Sequence, residues 1–276
     1  MLAEPHHIEN MKARFLFAGL VVCACVAAPA ATPLTESTFT EIIKEAKVVA
    51  ASTKTATPAR TNEVFRAPDL VRTGPDSRVE MTAPDQTITR IGANTVFTFE
   101  PGERIIRLQR GSVLFHSPAG AGGGTVKYHG TAAAVLGTTM ICAVLPDGSF
   151  KILVLEGHAK VTLMNGKSIT LNAGEMIIVQ PDGLDFGDVM VVNLGELVAR
   201  LQLVMGFSHE LSSMSLIAAA IQLQNEQIAA GTLDHFVSFW MAANGLDLIG
   251  GNGELDFPPP LNTHDFTTMP LSPFQP

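Results

Sequence analysis

One Trp, one Tyr and three Cys among 276 residues are the scarcest side chains of this chain, and each scarcity excludes something. With so few large polar aromatics, a platform for stacking sugars or bases would have to be built from Phe, which argues against a dedicated polysaccharide-binding module. Two of the cysteines, Cys23 and Cys25, lie in one apolar segment near the start. Once that segment is removed only Cys142 remains, no intrachain disulfide can form, and the fold must stand on its core. Charge is sparse as well. Charged residues make up 16% of the chain, with 18 Lys and Arg against 26 Asp and Glu, a formal net charge of -8. The sequence has no Lys/Arg cluster, whereas a nucleic-acid partner demands a basic stripe that neutralises phosphates. No nucleic acid is therefore expected, and no electrostatic hold on anionic lipid.

The longest apolar run near the start, Phe15 to Val26, has 12 residues, short of the ~20 that a membrane-spanning helix requires. Met11-Lys12-Ala13-Arg14 precedes it as a cationic n-region, and Ala28-Pro29-Ala30 follows as a small-residue cleavage site. Together these read as a secretory signal peptide over residues 1–30, cut between Ala30 and Ala31, with translation starting at Met1 or at Met11. Val22-Cys23-Ala24-Cys25 loosely matches a lipoprotein cleavage box. Small apolar residues filling the h-region are the preferred reading, and lipidation of Cys25 stays open. The expectation is an exported protein, periplasmic or secreted, free or held at the envelope, with no transmembrane span in its mature chain.

What the sequence has in plenty is strand rhythm. Apolar and polar residues alternate in Arg78-Val79-Glu80-Met81-Thr82, Thr87-Ile88-Thr89-Arg90-Ile91 and Thr95-Val96-Phe97-Thr98-Phe99, and turn residues recur every 8 to 12 positions. Asn165-Gly166 and Asp147-Gly148 each sit between two strand-like runs, and a type I′ hairpin is expected because such pairs tolerate positive φ. Phe150 to Leu155 is apolar enough for the centre of a sheet. Thr38 to Val49 can be read as a capped helix or as strands. An all-β domain, sandwich- or solenoid-like, is thus expected over residues 38–192.

After Asn193 the period lengthens to 3.6. Asn193-Leu194-Gly195-Glu196 has the form of a capping box, and Leu194, Leu197, Val198, Leu201 and Met205 fall on one helical face. A second helix is expected from Ser213 to Ala230, with Ile217, Ala220, Ile221, Gln224 and Ile228 aligned and Gly231 as its stop. A third, Asp234 to Asn244, carries Phe236, Phe239 and Trp240. This helical appendage, residues 193–245, would cover a β face or mediate self-association. Gly and Pro accumulate over residues 246–276, which read as an extended or disordered tail.

The order of Val71-Arg72-Thr73-Gly74-Pro75-Asp76-Ser77, Leu108-Gln109-Arg110-Gly111, Val135-Leu136-Gly137-Thr138, Leu155-Glu156-Gly157 and Ala173-Gly174-Glu175 resembles the extracytoplasmic domain of the FecR family, over roughly residues 64–181. That family is named for the iron-citrate sensor regulator of Gram-negative bacteria. The resemblance tips Thr38 to Val49 to strands, leans toward the solenoid-like variant, and implies a signalling role with another exported or envelope protein as partner. A regulator of that type carries a cytoplasmic helical region that handles a sigma factor, then one transmembrane helix. Neither is legible before Phe15, so a stand-alone exported domain that does not itself regulate a sigma factor is expected. Gln86, in Pro84-Asp85-Gln86-Thr87, stands where the family commonly has Gly.

The motif residues look architectural. Gly74, Gly92, Gly111, Gly137, Gly157 and Gly174 suit strand ends and tight corners, Arg72, Ser77 and Asn94 can hydrogen-bond the backbone there, and Glu156 and Glu175 can cap exposed N–H groups at hairpin mouths. The chemistry-bearing candidates fare poorly. Gly120 to Lys127 lacks the order and the helix of a phosphate loop, and Gly206-Phe207-Ser208-His209-Glu210 is no nucleophile elbow. His116, His129 and His158 obey no metal spacing, and Asp182, Asp185 and Asp188 lack a calcium-loop order. Cys142 reads as a buried small hydrophobe. The expectation is a non-enzymatic protein, either a binding or signalling module or a structural envelope scaffold, with no catalytic residue, cofactor or metal.

Overall fold

The structure, a computed structural model, describes residues 32–233. In chain order its strands are β1 Glu36–Ile43, β2 Ala46–Val49, β3 Ala56–Pro58, β4 Val64–Arg66, β5 Leu70–Thr73, β6 Arg78–Thr82, β7 Ile88–Ile91, β8 Val96–Phe99, β9 Ile105–Ser117, β10 Gly124–Tyr128, β11 Thr131–Val135, β12 Thr138–Val144, β13 Phe150–Glu156, β14 His158–Thr162, β15 Ser168–Asn172, β16 Glu175–Val179 and β17 Met190–Val191. Three helices follow, α1 Leu194–Val198, α2 Gln202–Met205 and α3 Met214–Ala229. The protein is mainly β, as expected. The ambiguous start is strand, β1 and β2 turning at Lys44, whose φ is 61°.

The strands form two stacked layers. One runs β4-β1-β6-β7-β9-β12-β13-β16-β17. The other runs β3-β2-β5-β8-β9-β10-β11-β14-β15. The long strand β9 belongs to both, pairing with β8 through Ile106 to Arg110 and with β12 through Gly111 to Ser117. Only β9 and β10 pair in parallel among the described strands. The chain crosses repeatedly from layer to layer, so a sandwich is wound with solenoid-like alternation. Phe39, Phe65, Phe97, Phe99, Phe115 and Phe150 fill the space between the layers, which compensates for the scarcity of Trp and Tyr with rings that need no hydrogen-bond partner.

The first layer has a second apolar face. Ile88, Leu114, Ile141, Ala143, Leu153, Leu155 and Met176 point away from the sandwich and pack beneath Leu194, Leu197, Val198, Leu201, Leu203, Val204 and Ile217. We call this layer the covered sheet and the other the open sheet. On the open sheet no described element packs on the outer face.

The helical layer corrects one expectation. The continuous helix expected from Leu194 to Met205 breaks at Leu201, whose backbone is extended at φ -73° and ψ 118°. An unbroken helix would have buried Met205 and turned Leu203 outward, since successive residues rotate by about 100°. The break buries Leu203 fully and leaves Met205 half exposed. The Asn193 cap forms, its side chain accepting from the Glu196 N–H at 3.0 Å. Gln224 of α3 accepts from the Leu194 N–H at 2.9 Å and donates to Val192 O at 2.9 Å, tying the helix to the start of α1. Gly231 takes φ +66° just past α3, and its N–H reaches Ile228 O. The third helix expected at Asp234 to Asn244 lies outside the described residues.

The hairpins form where Asn-Gly and Asp-Gly predict them, but with a different turn. Only Gly166 and Gly148 take positive φ, 84° and 85°, not Asn165 or Asp147. The Gly166 N–H returns to Leu163 O, and the Gly148 N–H to Leu145 O. Each turn therefore places its Gly third, as a left-handed residue after two that are not, which matches the common three-residue hairpin.

Candidate functional site

The corner glycines fall into two sets. Gly111, Gly137, Gly157 and Gly174 take φ between +66° and +83°. At Gly111 and Gly157 the fit is also close, because an added Cβ would lie 2.2 Å from Thr95 Oγ1 and 2.6 Å from Thr138 Oγ1. Gly74 and Gly92 do not use the left-handed region. They join the corner through their backbones, the Gly74 N–H to Glu45 O and the Gly92 N–H to Ser112 O. Ser77 Oγ accepts from the Glu45 N–H and donates to Pro75 O. Asn94 takes φ 52° and engages Gly74 O through its own N–H. Arg72 serves no corner. It stands on the outer face of the open sheet, exposed.

The chemistry-bearing candidates do not converge. His116 is buried on the covered sheet, His129 stacks on Tyr128 in the β10–β11 turn, and His158 bonds Asn172 on the open sheet. Glu175 accepts from the Asn172 N–H at 2.7 Å, the capping role expected of it. Asp182 bonds the Leu184 N–H, and Asp185 pairs with Lys167. Cys142 is buried, and burial raises its thiol well above the usual range. Among the described residues no group of three or more His, Cys, Asp or Glu is arranged to hold a metal ion.

Two polar clusters that the sequence reading did not assemble lie under the helices. Register explains both, since residues paired across antiparallel strands share a face. One row of the covered sheet reads Glu41, Glu80, Arg90, Leu114, Ile141 and Leu153. The fully buried Arg90 donates through Nε to Glu80 Oε2 at 2.8 Å. It also donates to Leu203 O at 3.2 Å, Val204 O at 2.7 Å and His209 O at 3.0 Å, and lies 4.2 Å from the centre of the Phe207 ring. Its planar fork thereby holds the end of α2 and the following loop onto the sheet. Glu80 Oε1 also accepts from Thr40 Oγ1 and contacts His209 Nε2, both at 2.7 Å. Burial pushes the Glu80 carboxyl up, but the bonds from Thr40, His209 and Arg90 outweigh it and hold it below its usual value.

Ser208, His209 and a carboxylate sit within bonding distance here, yet the arrangement is not a nucleophile with its base. Glu41 takes both the Ser208 N–H at 3.0 Å and the Ser208 hydroxyl at 2.8 Å. The Ser208 hydroxyl is therefore engaged by Glu41, at a shorter distance than the 3.2 Å to His209 Nδ1.

The adjacent row reads Ile88, His116, Thr139 and Glu156. Thr139 Oγ1 lies 2.9 Å from His116 Nδ1, 2.6 Å from Glu156 Oε1 and 2.8 Å from the Oγ of Ser213, which precedes α3. Glu156 accepts the Thr139 backbone N–H as well as its hydroxyl, a capping role at this strand end, and is buried beneath the start of α3. Burial raises its carboxyl and lowers the His116 imidazole. Lys151, buried on the same face, is pushed down to about 7 by burial.

The strands of the open sheet carry charge of one sign on their outer face. These strands contain no Asp or Glu, and they present Lys47, Arg72, Arg107, Arg110, Lys127 and Lys160. Lys47, Arg72, Val96 and Arg110 form one row across β2, β5, β8 and β9. Thr98, Arg107, Lys127 and Ala132 form another across β8 to β11, and Lys160 stands opposite Ala134 on β14. Among the described residues no Phe, Tyr or Trp lies on this face. The sequence hides the patch because no two of these cations are neighbours in the chain.

Residues 69–160 match the family described as FecR protein. Two crystal structures of a proposed anti-sigma factor from Parabacteroides distasonis ATCC 8503, at 1.65 and 2.50 Å, are similar at 22% identity and a TM-score of 0.38; each match covers 43% of this chain and 57% of that one. No curated protein matches the chain. Among the described residues no helix is long and apolar enough to cross a membrane. The part of the chain from β5 through the first half of β14 is thus what is similar to the FecR family.

Proposed function

We propose that this protein is an exported, non-enzymatic binding or signalling module that works by capturing another extracytoplasmic protein and does not itself regulate a sigma factor. The observation that carries the reading is the FecR match over residues 69–160, a domain whose family is regulatory, combined with a built binding face on its open sheet. The secretory pattern of Met11 to Ala30 supports export. Further support comes from how the polar groups are used: Ser208, His209, Glu80 and Arg90 engage one another and hold the helical layer. The proposed domain limits are a signal segment at 1–30, a β domain at 38–192, a helical region at 193–245 and a tail at 246–276.

A second reading, an envelope scaffold that assembles through its helices, is favoured by one observation: Leu216 and Leu223 stand more than half exposed on the outer side of α3. Cell fractionation with pull-down from envelope extract separates the two. The module reading expects a soluble protein that captures a distinct partner. Pelleting with cell wall or outer membrane, with only its own copies captured, favours the scaffold. Mature protein starting at Ala31 by intact mass supports export, and retained Met11 opposes it.

A further inference from the structure

We infer that the outer face of the open sheet is the docking site and that its occupant is a flexible acidic stretch of a partner polypeptide. The inference rests on the protein-binding reading above and names the partner's chemistry. Six cations gather on this face of a chain whose formal net charge is -8, so the patch runs against the overall balance and marks a site for negative charge. Among the described residues, Arg72, Arg110 and Lys160 form no ion pair, although Arg72 acts electrostatically on Glu45 from a greater distance. The other three already hold carboxylates: Lys47 Nζ lies 2.6 Å from Glu45, and Arg107 Nε and Lys127 Nζ lie 2.8 and 3.6 Å from Glu100 Oε1. The face thus demonstrates on its own residues the contact it would make.

Shape narrows the occupant. From β2 to β14 the cations span six inter-strand steps, about 29 Å at ~4.8 Å each. Adjacent strands rotate by roughly 20–25°, so such a face is a twisted saddle. A flat anionic bilayer would meet only part of it, whereas an extended chain crossing the strands follows the twist. Among the described residues this face has no aromatic rings, which disfavours a sugar or base polymer that would be stacked as well as neutralised. Ala132, Ala134, Thr98 and Thr125 between the cations leave room for a backbone to approach.

The test uses the full exported chain and fluorescein-labelled oligoglutamate. Binding at low salt is expected, weakening as salt rises. Each exposed ion pair is worth roughly 1.4- to 5-fold, so the triple variant Arg72→Gln, Arg110→Gln, Lys160→Gln should bind about tenfold more weakly. A control triple on other exposed cations, Lys44→Gln, Lys54→Gln, Arg60→Gln, should bind like the wild type, and all three proteins should melt together. Equal affinity of the two triples, or no binding by the wild type, overturns the site. Tighter binding of heparin or of phosphatidylglycerol vesicles, with the same loss in the first triple, overturns the occupant. Failure of this test leaves partner capture from envelope extract unaffected. Failure of that capture would instead sink the module reading.

Discussion

The covered and open sheets share strand β9 and one Phe-lined core, yet they treat charge in opposite ways. On the covered sheet, Arg90 and Glu80 are buried, matched and bonded to the backbone of the helical layer. On the open sheet, Arg72, Arg110 and Lys160 project from strands that contain no acid. The physical difference is desolvation. A buried charge must find its partner within the molecule, because leaving it alone costs several kcal/mol, while an exposed one stays hydrated at little cost and keeps its capacity for an outside partner. Charge on the covered sheet is architecture; charge on the open sheet is available.

The largest expected break in this contrast is Arg90→Met. Removing one member of a buried pair costs about 3–5 kcal/mol. It would strand the Glu80 carboxylate and three carbonyls, so denaturant unfolding should show that loss and limited proteolysis should cut near residues 203–209. Next comes Gly157→Val, where a β-branched residue is forced to φ +76° against Thr138; impaired folding is expected. Gly137→Val shares the positive φ, but an added Cβ there meets nothing nearer than 3.5 Å. It should lose only the backbone strain, about 1–2 kcal/mol. Thermal melts that rank the two the other way would show that sterics at these corners are misread.

A smaller effect sharpens the covered side. Burial raises the Glu156 carboxyl in the folded state, so the folded protein holds that proton more tightly than the unfolded chain. The associated stability is fully present below the unfolded value near 4.5 and is lost as pH rises through the folded value. Glu156→Gln, which still accepts from Thr139, should melt like the wild type at pH 4 and at or above it at pH 7.5. A variant that melts lower at pH 7.5 alone would reverse the sign. Partner capture should persist in Glu156→Gln, Glu175→Gln and His158→Ala. Lost turnover in either Glu variant with an unchanged melt would reveal a catalytic site. The smallest effect on stability belongs to the open-sheet triple, because exposed substitutions usually stay within about 0.5 kcal/mol each.

How much of this was legible follows from range. Signals that act within a few residues came through: the strand alternation at Arg78 to Thr82, the hairpins at Asn165-Gly166 and Asp147-Gly148, and the Asn193 cap. Signals that need register did not. Arg90 meets His209 O across 119 positions, and Arg72 joins Arg110 only because β5, β8 and β9 pair as they do. The break at Leu201 was equally hidden, since the 3.6 period favours a continuous helix and only the packing of Leu203 opposes it. Spacing along the chain says little about the metal and catalytic candidates, because the fold distributes His116, His129 and His158 between two sheets and a turn.

The central claim is that the open sheet, and not the covered one, meets the partner. The most direct measurement is capture from envelope extract by the wild type and by the Arg72→Gln, Arg110→Gln, Lys160→Gln triple, with melting temperatures recorded on the same preparations. The account predicts that the captured protein is lost from the triple while its melting temperature stays that of the wild type. Undiminished capture by an equally stable triple would contradict it.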